Sequence, residues 1–313
     1  MQGTQKENDM KIAVITVTYN DGYKFEQWKE LYKQYADSID YHIIVDNGSN
    51  KKYIEAVRQD FQNSIVLERE TNGGSTGAYN TGIKYVLDQT DADVIMLLGN
   101  DIKLNSESIH KLTEYLDSND SVGMVAPLLC NADSDIIADF GCMISEDLTL
   151  NPYMCGRNIA EVREREHICD TVTGGANMAR RDFYLKVGLQ DENLFMYSDE
   201  VDMGLRAKAC GYKIACISDA VCWHQHINPD GGEYRKPYSA FLMARNKIYL
   251  ANKHHLYKSR RKVRDVYIVQ SIKSYIKGVV CRRKALRERG VYIFKGVLYG
   301  LKNDMSSNQY TQY

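Results

Sequence analysis

No pair of cysteines in this 313-residue chain shows C-x-x-C spacing, and no Cys/His cluster has the spacing of a zinc site. The eight cysteines (130, 142, 155, 169, 210, 216, 222 and 281) are therefore read as reduced thiols of a cytosolic protein, each a small buried hydrophobe. Long apolar runs are missing too. The longest, Val94 to Leu98 and Val291 to Leu301 with Lys295 inside it, fall far short of the roughly 18 residues that a membrane-spanning helix needs. The stretch Met1 to Met10 is polar, with no basic segment leading into an apolar one, so no secretory leader is expected and the location expected is cytoplasmic. Internal repeats and low-complexity tracts are absent.

What is present is the composition of a chain that buries a large core, 44% hydrophobic and 26% charged, which excludes a disordered segment or a disulfide-stapled miniprotein. The net charge of -1 hides a division. Lys253 to Lys302 carries fifteen Lys/Arg against Asp265 and Glu288, a net +13, while residues 1–252 carry a net -13 and Asp304 adds the last negative charge. A basic tail on an acidic body meets something anionic or another subunit: a membrane surface or a homo-oligomer contact. Nucleic acid is not expected, because the tail holds no groove-reading motif.

Up to Leu98 the chain alternates short apolar runs with helical ones, the pattern of βαβ units around a mostly parallel sheet. Strands are expected at Lys11–Thr18, Tyr41–Val45, Ser64–Leu67 and Asp93–Leu98, each near-continuously apolar as strands covered on both faces are. Polar or glycine-rich residues follow three of them, at Tyr19-Asn20-Asp21, Asp46-Asn47-Gly48-Ser49 and Gly99-Asn100-Asp101. Ligands of open α/β sheets lie outside such strand ends. Further strands are expected at Val122–Pro127, Thr171–Ala179 (broken by two glycines) and Tyr212–Ile217. A helix is expected over Asp199–Cys210, with Ser198 as N-cap and Gly211 as its stop. Asn131–Arg165 reads as polar loop. The glycine- and proline-containing stretch 227–237 marks a boundary, after which the pattern is helical, with a basic amphipathic segment at Val263–Val280.

Several residues have the chemistry of a site. Asp101, at the end of a buried strand, suits a hard divalent cation, with a turn-capping role as the alternative. Asp46 offers acceptor oxygens to a nucleobase N–H or a ribose hydroxyl, or else closes an Asx turn. Asn72-Gly73-Gly74-Ser75-Thr76-Gly77 opens a helix without the spacing of a dinucleotide fingerprint and without a P-loop lysine. Asp199, Glu200 and Asp202 cluster in a first helical turn, where the macrodipole favours negative charge and should keep them ionised. Asp202 can pair with Arg206, and a carboxylate here is a candidate general base. His224, beside Trp223, is a candidate metal or diphosphate contact or a structural histidine.

In this order and spacing the segments from Lys11 to Asn252 resemble glycosyltransferase family 2, enzymes of the GT-A fold. The resemblance rests on Thr18-Tyr19-Asn20 with Asp46-Asn47-Gly48-Ser49, and on Asn72-Gly73-Gly74 through Gly77, Asn80 and Gly82. It rests also on Leu97-Leu98-Gly99-Asn100-Asp101, and on Phe195 to Asp202 continuing to Arg206 and Gly211-Tyr212. The Trp223-His224 and Arg245-Asn246 pairs look most similar to the rhamnosyl- and galactofuranosyltransferase-like branches. The resemblance implies an α/β catalytic unit over 1–236, with a nucleotide-sugar half near 11–127 and an acceptor half near 128–236, followed by a basic helical region over 237–313.

It implies further an inverting transferase of polysaccharide biosynthesis, working with Mg2+ or Mn2+. The donor would be a nucleotide-diphosphate sugar of UDP or dTDP type and the acceptor a glycan or lipid-linked hydroxyl, at the inner face of a membrane. Thr18, Asn20, Asp46, Asn72, Gly73, Gly77, Asn80, Asn100, Gly174, Gly175 and Asp202 would line the donor site. Asp101 and His224 would hold the metal, and Glu200, with Asp199 as its rival, would be the base. Two departures stand out: Gly99 replaces the first Asp of the D-x-D metal motif, and the acidic pair is ordered Asp199-Glu200. A nucleotidyltransferase and a catalytically silent nucleotide-sugar-binding module are the alternative classes.

Overall fold

The computed structural model describes residues 10–225 and 237–306; His226 and most of the stretch read as a boundary lie outside them. The first half alternates strand and helix: β1 (Ile12–Thr18), α1 (Phe25–Tyr32), β2 (Tyr41–Asp46), α2 (Lys51–Asp60), β3 (Ile65–Glu68), α3 (Gly74–Gln89) and β4 (Val94–Leu98). Then follow β5 (Ile102–Lys103), α4 (Ser106–Asp117), β6 (Val122–Asn131) and three strands of three residues each, β7 (Ile137–Asp139), β8 (Cys142–Ile144) and β9 (Leu150–Pro152). The remainder is β10 (Glu166–Cys169), β11 (Ala176–Arg180), α5 (Arg181–Val187), α6 (Asp199–Ala209), β12 (Lys213–His224), α7 (Pro237–Lys253), α8 (Tyr257–Val280) and α9 (Lys284–Lys302).

Among the described residues ten strands form one sheet in the order β10-β12-β6-β11-β4-β1-β2-β3, with β5 added to β12 and β7 to β6. Strands β3, β2, β1 and β4 are parallel, β11 is antiparallel to both neighbours, and β12 runs parallel to β6. The C-terminal ends of β1, β2, β4, β6 and β12 therefore share one edge with the N-terminal end of β11. This mostly parallel sheet is the α/β arrangement expected from the strand pattern, and it agrees with the fold that the family resemblance implies.

Alternation explains why the core strands read as unbroken apolar runs. In β1, Ala13 and Ile15 pack on Ala78, Ile83 and Val86 of α3, while Ile12 and Val14 pack with Ile109, Leu112 and Leu116 of α4 on the other face. Successive side chains point to opposite faces and both faces are covered. Each such side chain, fully buried, contributes about 1.5–3 kcal/mol. Side-chain caps set the helix starts between strands: Asn50 Oδ1 accepts from Tyr53 N on α2, and Asn105 Oδ1 from Ser108 N on α4.

Helices α7, α8 and α9 form a separate cluster in which Ile248, Val263, Tyr267, Ile293 and Val297 meet Val201 of α6 and Leu148. Glycine lets α9 approach α7: a Cβ on Gly296 would lie 2.4 Å from Phe241 O. No described helix is long and apolar enough to cross a membrane.

Five local expectations are corrected. Strand β11 begins only at Ala176, because Gly174 and Gly175 belong to a loop; β12 runs on to His224; and the stretch read as loop holds β7, β8 and β9. Ser198 precedes α6 in a left-handed conformation and makes no side-chain cap bond. All eight cysteines are free, but Cys155, Cys210 and Cys281 are exposed, so burial does not hold for those three.

Candidate active site

Asp101 stands just beyond β4, and β12 brings His224 to it by pairing with β5: His224 is in register with Ile102, and Gln225 N donates to Asp101 O at 2.7 Å. His224 Nε2 lies 3.3 Å from Asp101 Oδ1, while Lys24 Nζ lies 2.8 Å from Oδ2. Burial works against ionisation of Asp101. The His224 hydrogen bond and the Lys24 charge outweigh it and hold the carboxyl well below the usual carboxylate range. A Cβ on Gly99 would lie 3.1 Å from Asp101 Oδ1, so a second carboxylate does not fit here without a shift.

At the ends of β1 and β2, Thr18 is buried with its hydroxyl bonded to Tyr53 Oη, and Asn20 adopts a left-handed conformation with its Oδ1 accepting from Asn50 N at 3.0 Å. Asp46 is buried; its Oδ2 accepts from Gly48 N and Ser49 N at 3.2 and 3.0 Å, closing an Asx-type turn. Its Oδ1 is buried and has no hydrogen-bond partner among the described protein atoms. Asn72 Oδ1 accepts from Asn47 Nδ2 at 2.9 Å and Gly74 N at 2.8 Å, which shapes the turn into α3. Buried Asn100 is fixed by Asp21 Oδ2 at 2.9 Å.

The acidic pair opens α6 from the other side. Glu200 Oε1 accepts from Gly174 N at 3.3 Å, and Gly175 O accepts from Gly99 N at 2.7 Å. That backbone bridge ties the Glu200 side to the Asp101 side. Half-buried Tyr79, on α3, has its pKa raised chiefly by desolvation, with the nearby carboxyls of Asp101 and Asp199 adding to it.

The macrodipole expectation fails for this pair. Burial is the larger effect and raises both carboxyls; repulsion from Glu200 raises Asp199 further, well above its ordinary value. The two neighbouring carboxyls therefore titrate as a pair, above the ordinary carboxylate range. A small cavity of about 40 Å³ adjoins them. Its lining includes Asn177, Tyr184 and Gln190, whose Oδ1, Oη and Oε1 lack partners among the described protein atoms, beside the apolar Leu97, Met124 and Val172.

The chain reaches this pair through a strained turn: Phe195, Tyr197 and Ser198 all have positive φ, at 64°, 68° and 67°. Helix α7 braces it. Asn246 Nδ2 donates to the carbonyls of Leu194, Met196 and Tyr197 at 3.0, 2.9 and 2.8 Å, and Arg245 Nη2 donates to those of Asn193 and Leu194 at 3.1 Å. Both side chains are fully buried.

Residues 13–186 match the model of the family described as Glycosyl transferase family 2. The chain belongs to glycosyltransferase family 2. Relatives within reach of sequence comparison include the low-salt glycan biosynthesis hexosyltransferase Agl10 of Haloferax volcanii, 25% identical over 77% of this chain and 75% of that one. Another is the N-acetylglucosaminyl-diphospho-decaprenol L-rhamnosyltransferase of Mycobacterium tuberculosis, 23% identical over 78% of this chain and 85% of that one. These match the rhamnosyltransferase-like branch of family 2. Among solved structures, GalNAc-T7 with UDP, GalNAc and Mn2+ shares the fold, with a TM-score of 0.61 at 13% identity; the match covers 98% of this chain and 58% of that one.

Four residues expected at the donor of this family 2 chain are otherwise engaged. Asn80 is buried, with Nδ2 donating to Gln190 O at 2.8 Å and Oδ1 accepting from Gln190 N at 2.9 Å; it braces the loop before α6. Asp202 is fully buried in a cluster with Arg206, Lys253 and His254 at 2.7–2.9 Å, which fastens α6 to the end of α7. Burial opposes its ionisation, but the His254 hydrogen bond and the charges of Arg206 and Lys253 lower it to about 2. Gly73 and Gly77 face the Arg69 side chain, which a Cβ on either would meet at 2.4 and 3.2 Å.

Sequence reasoning missed Lys24 and Asp139. Asp139 Oδ2 accepts from Thr173 N and Oγ1 at 3.2 and 2.7 Å, holding the Thr173-Gly174-Gly175 loop under Glu200. Lys24 carried one readable signal, a lone cation three residues beyond the polar Tyr19-Asn20-Asp21 strand end. Asp139 carried none, because β7 has only three residues.

Proposed function

We propose that this family 2 chain transfers a sugar, with inversion, from a UDP- or dTDP-type nucleotide sugar to a hydroxyl of a glycan or lipid-linked acceptor in polysaccharide biosynthesis. The work would be done at the cytoplasmic face of a membrane. The observation that carries the reading is convergence: Asp101 with His224, and Glu200 with Gly174, meet at one sheet edge through the 2.7 Å Gly99–Gly175 backbone bond. The free Oδ1 of Asp46 suits a ribose hydroxyl or base N–H, with Thr18, Asn20, Asn72 and Asn100 shaping the same crevice.

The residues at Asp101 fit a divalent cation. One carboxylate and one imidazole are two protein donors, and a hard ion that keeps water and phosphate oxygens around it asks little more of the chain. Among the described residues no group of three or more His, Cys, Asp or Glu converges, so the substrate diphosphate would complete the shell. A bound Mg2+ or Mn2+ supplies Lewis-acid stabilisation of charge on the departing diphosphate. Lys24 Nζ, 2.8 Å from Asp101, adds a positive charge at the same place.

Glu200 takes the proton from the acceptor hydroxyl; the oxygen bonds the anomeric carbon as that carbon's bond to the diphosphate breaks in line, and a nucleoside diphosphate leaves. Asp199, raised by burial and by the neighbouring Glu200, is the partner that would keep a proton beside that base. Gly174 and Gly175 leave room above Glu200 for the sugar and the acceptor. Support for a lipid-linked acceptor comes from the relative whose name specifies a decaprenol-linked one.

Glu200→Gln tests the base. General-base assistance is worth roughly 10²- to 10⁴-fold, so turnover should fall by about that factor with an unchanged melting temperature. Wild-type turnover in that variant would remove Glu200 from the role. Release of pyrophosphate in place of a nucleoside diphosphate would overturn sugar transfer. Thermal stabilisation by UDP and dTDP, with and without Mn2+, reports donor and metal binding independently of turnover.

A further inference from the structure

Helices α8 and α9 bury one face against α7 and leave another, equally apolar, open. On α8, Val269, Ile272, Ile276, Val279 and Val280 recur at helical spacing and are exposed, Ile276 at 55% and Val280 at 75%. On α9, Val291, Phe294 and Leu298 do the same, Phe294 at 47%. These side chains are surplus to the core, because Val263, Tyr267, Ile293 and Val297 already fill the contact with α7. Between the two helices an open groove of about 370 Å³ is lined by Ile272, Tyr275, Ile276, Val291 and Phe294, with Lys295 at its rim. A contiguous apolar face of this kind marks an interaction surface.

Its border is cationic. Lys273 and Lys277 on α8, the connecting Arg282 and Arg283, and Lys284 and Arg287 on α9 are all exposed. The whole segment from Lys253 to Lys302 is +13 against -13 for residues 1–252. Charge complementarity decides the occupant. A second copy docked symmetrically would set the same cations against themselves, whereas an anionic bilayer offers acyl chains to the apolar residues and headgroup charge to the cations. The acidic remainder of the chain is repelled by that surface, which fixes one orientation. Since no described helix can cross a bilayer, the pair lies in the interface plane.

We infer that the exposed α8–α9 face is an in-plane docking surface for an anionic lipid bilayer, with Ile276 and Phe294 inserted and the bordering lysines and arginines at the headgroups. The inference rests on the proposed lipid-linked acceptor and adds the surface that brings the enzyme to it.

Flotation of the full chain with phosphatidylcholine vesicles, with and without phosphatidylglycerol, provides the test. The wild type should float with the anionic vesicles, less with the neutral ones and less in high salt. The double variant Ile276→Asp, Phe294→Asp should lose at least roughly tenfold in partition. Lys273→Glu and Lys277→Glu should each lose roughly fivefold or more and flatten the salt dependence. All four positions are exposed, so melting temperatures should hold, and so should turnover on a water-soluble acceptor. Undiminished flotation of the double variant overturns the inference, as does a wild type that ignores anionic vesicles. So does a dimer, seen by light scattering, that these substitutions split while flotation persists. If flotation follows the inference but no acceptor of any kind receives sugar, the docking surface stands and the proposed function fails.

Discussion

Lys24 and Asp101 form a largely buried ion pair, 2.8 Å between Nζ and Oδ2, where the family resemblance would align Gly99 with the first carboxylate of a D-x-D motif. The ammonium occupies the oxygen that a divalent cation would claim. Breaking a buried pair is unfavourable, and that cost opposes the arrival of the ion.

The first prediction follows from this competition. Lys24→Met frees Oδ2 and leaves Asp101 with His224 alone, so Mn2+ measured by titration in the presence of UDP should bind roughly tenfold more tightly. UDP without metal should bind less tightly, because a positive charge has gone from the diphosphate side. Equal Mn2+ affinity in the variant and the wild type would show that Lys24 and the ion do not compete.

The second prediction concerns pH. Burial raises Asp199 and Glu200, and a base acts only when deprotonated, so the rate falls as pH drops through the first ionisation of the pair. The acid limb of kcat/KM should therefore lie above the ordinary carboxylate range. If Glu200 ionises first while Asp199 keeps the proton, Asp199→Asn preserves a donor to Glu200 and leaves the limb nearly in place. Asp199→Ala removes that donor, and the limb moves to higher pH. Loss of the limb in Asp199→Asn would make Asp199 the base.

The parallel strands, the crevice at their ends, Asp46, Asp101 and the acidic start of α6 were legible in the sequence because each depends on local periodicity or on a strand end. His224 was legible in part, since a histidine closing an apolar run stands out. The rest was set by distant partners. Asn80 and Asp202 look like ligand-facing polar residues until the backbone of Gln190, or Lys253 and His254, is brought against them from tens of residues away. Asp139 lies in a strand too short to show a period. The left-handed turn at Phe195, Tyr197 and Ser198 contains no glycine to announce it. For Asp199 and Glu200 the dipole argument took the wrong sign because it left out burial, which outweighs a helix terminus once water is removed.

That turn carries the third prediction. Non-glycine residues at positive φ cost on the order of 1 kcal/mol each and persist only where the surroundings hold them. Here the holder is Asn246, a positioning residue whose single amide serves the carbonyls of Leu194, Met196 and Tyr197. Asn246→Leu keeps the volume and removes the donors; Leu194 O keeps Arg245 Nη2, while Met196 O loses its bond from Asn246 at a cost of roughly 1–3 kcal/mol. A melting temperature lower by several degrees is expected on stability grounds alone. Positioning adds a second signature. The turn aims Glu200, and its Phe195 O also accepts from Thr76 N at 3.2 Å at the start of α3, so kcat should fall by at least roughly tenfold with a smaller rise in the donor KM. Asn246→Gln, which keeps the amide one methylene further out, should recover part of kcat. A variant less stable but with wild-type kcat would reduce Asn246 to a structural brace.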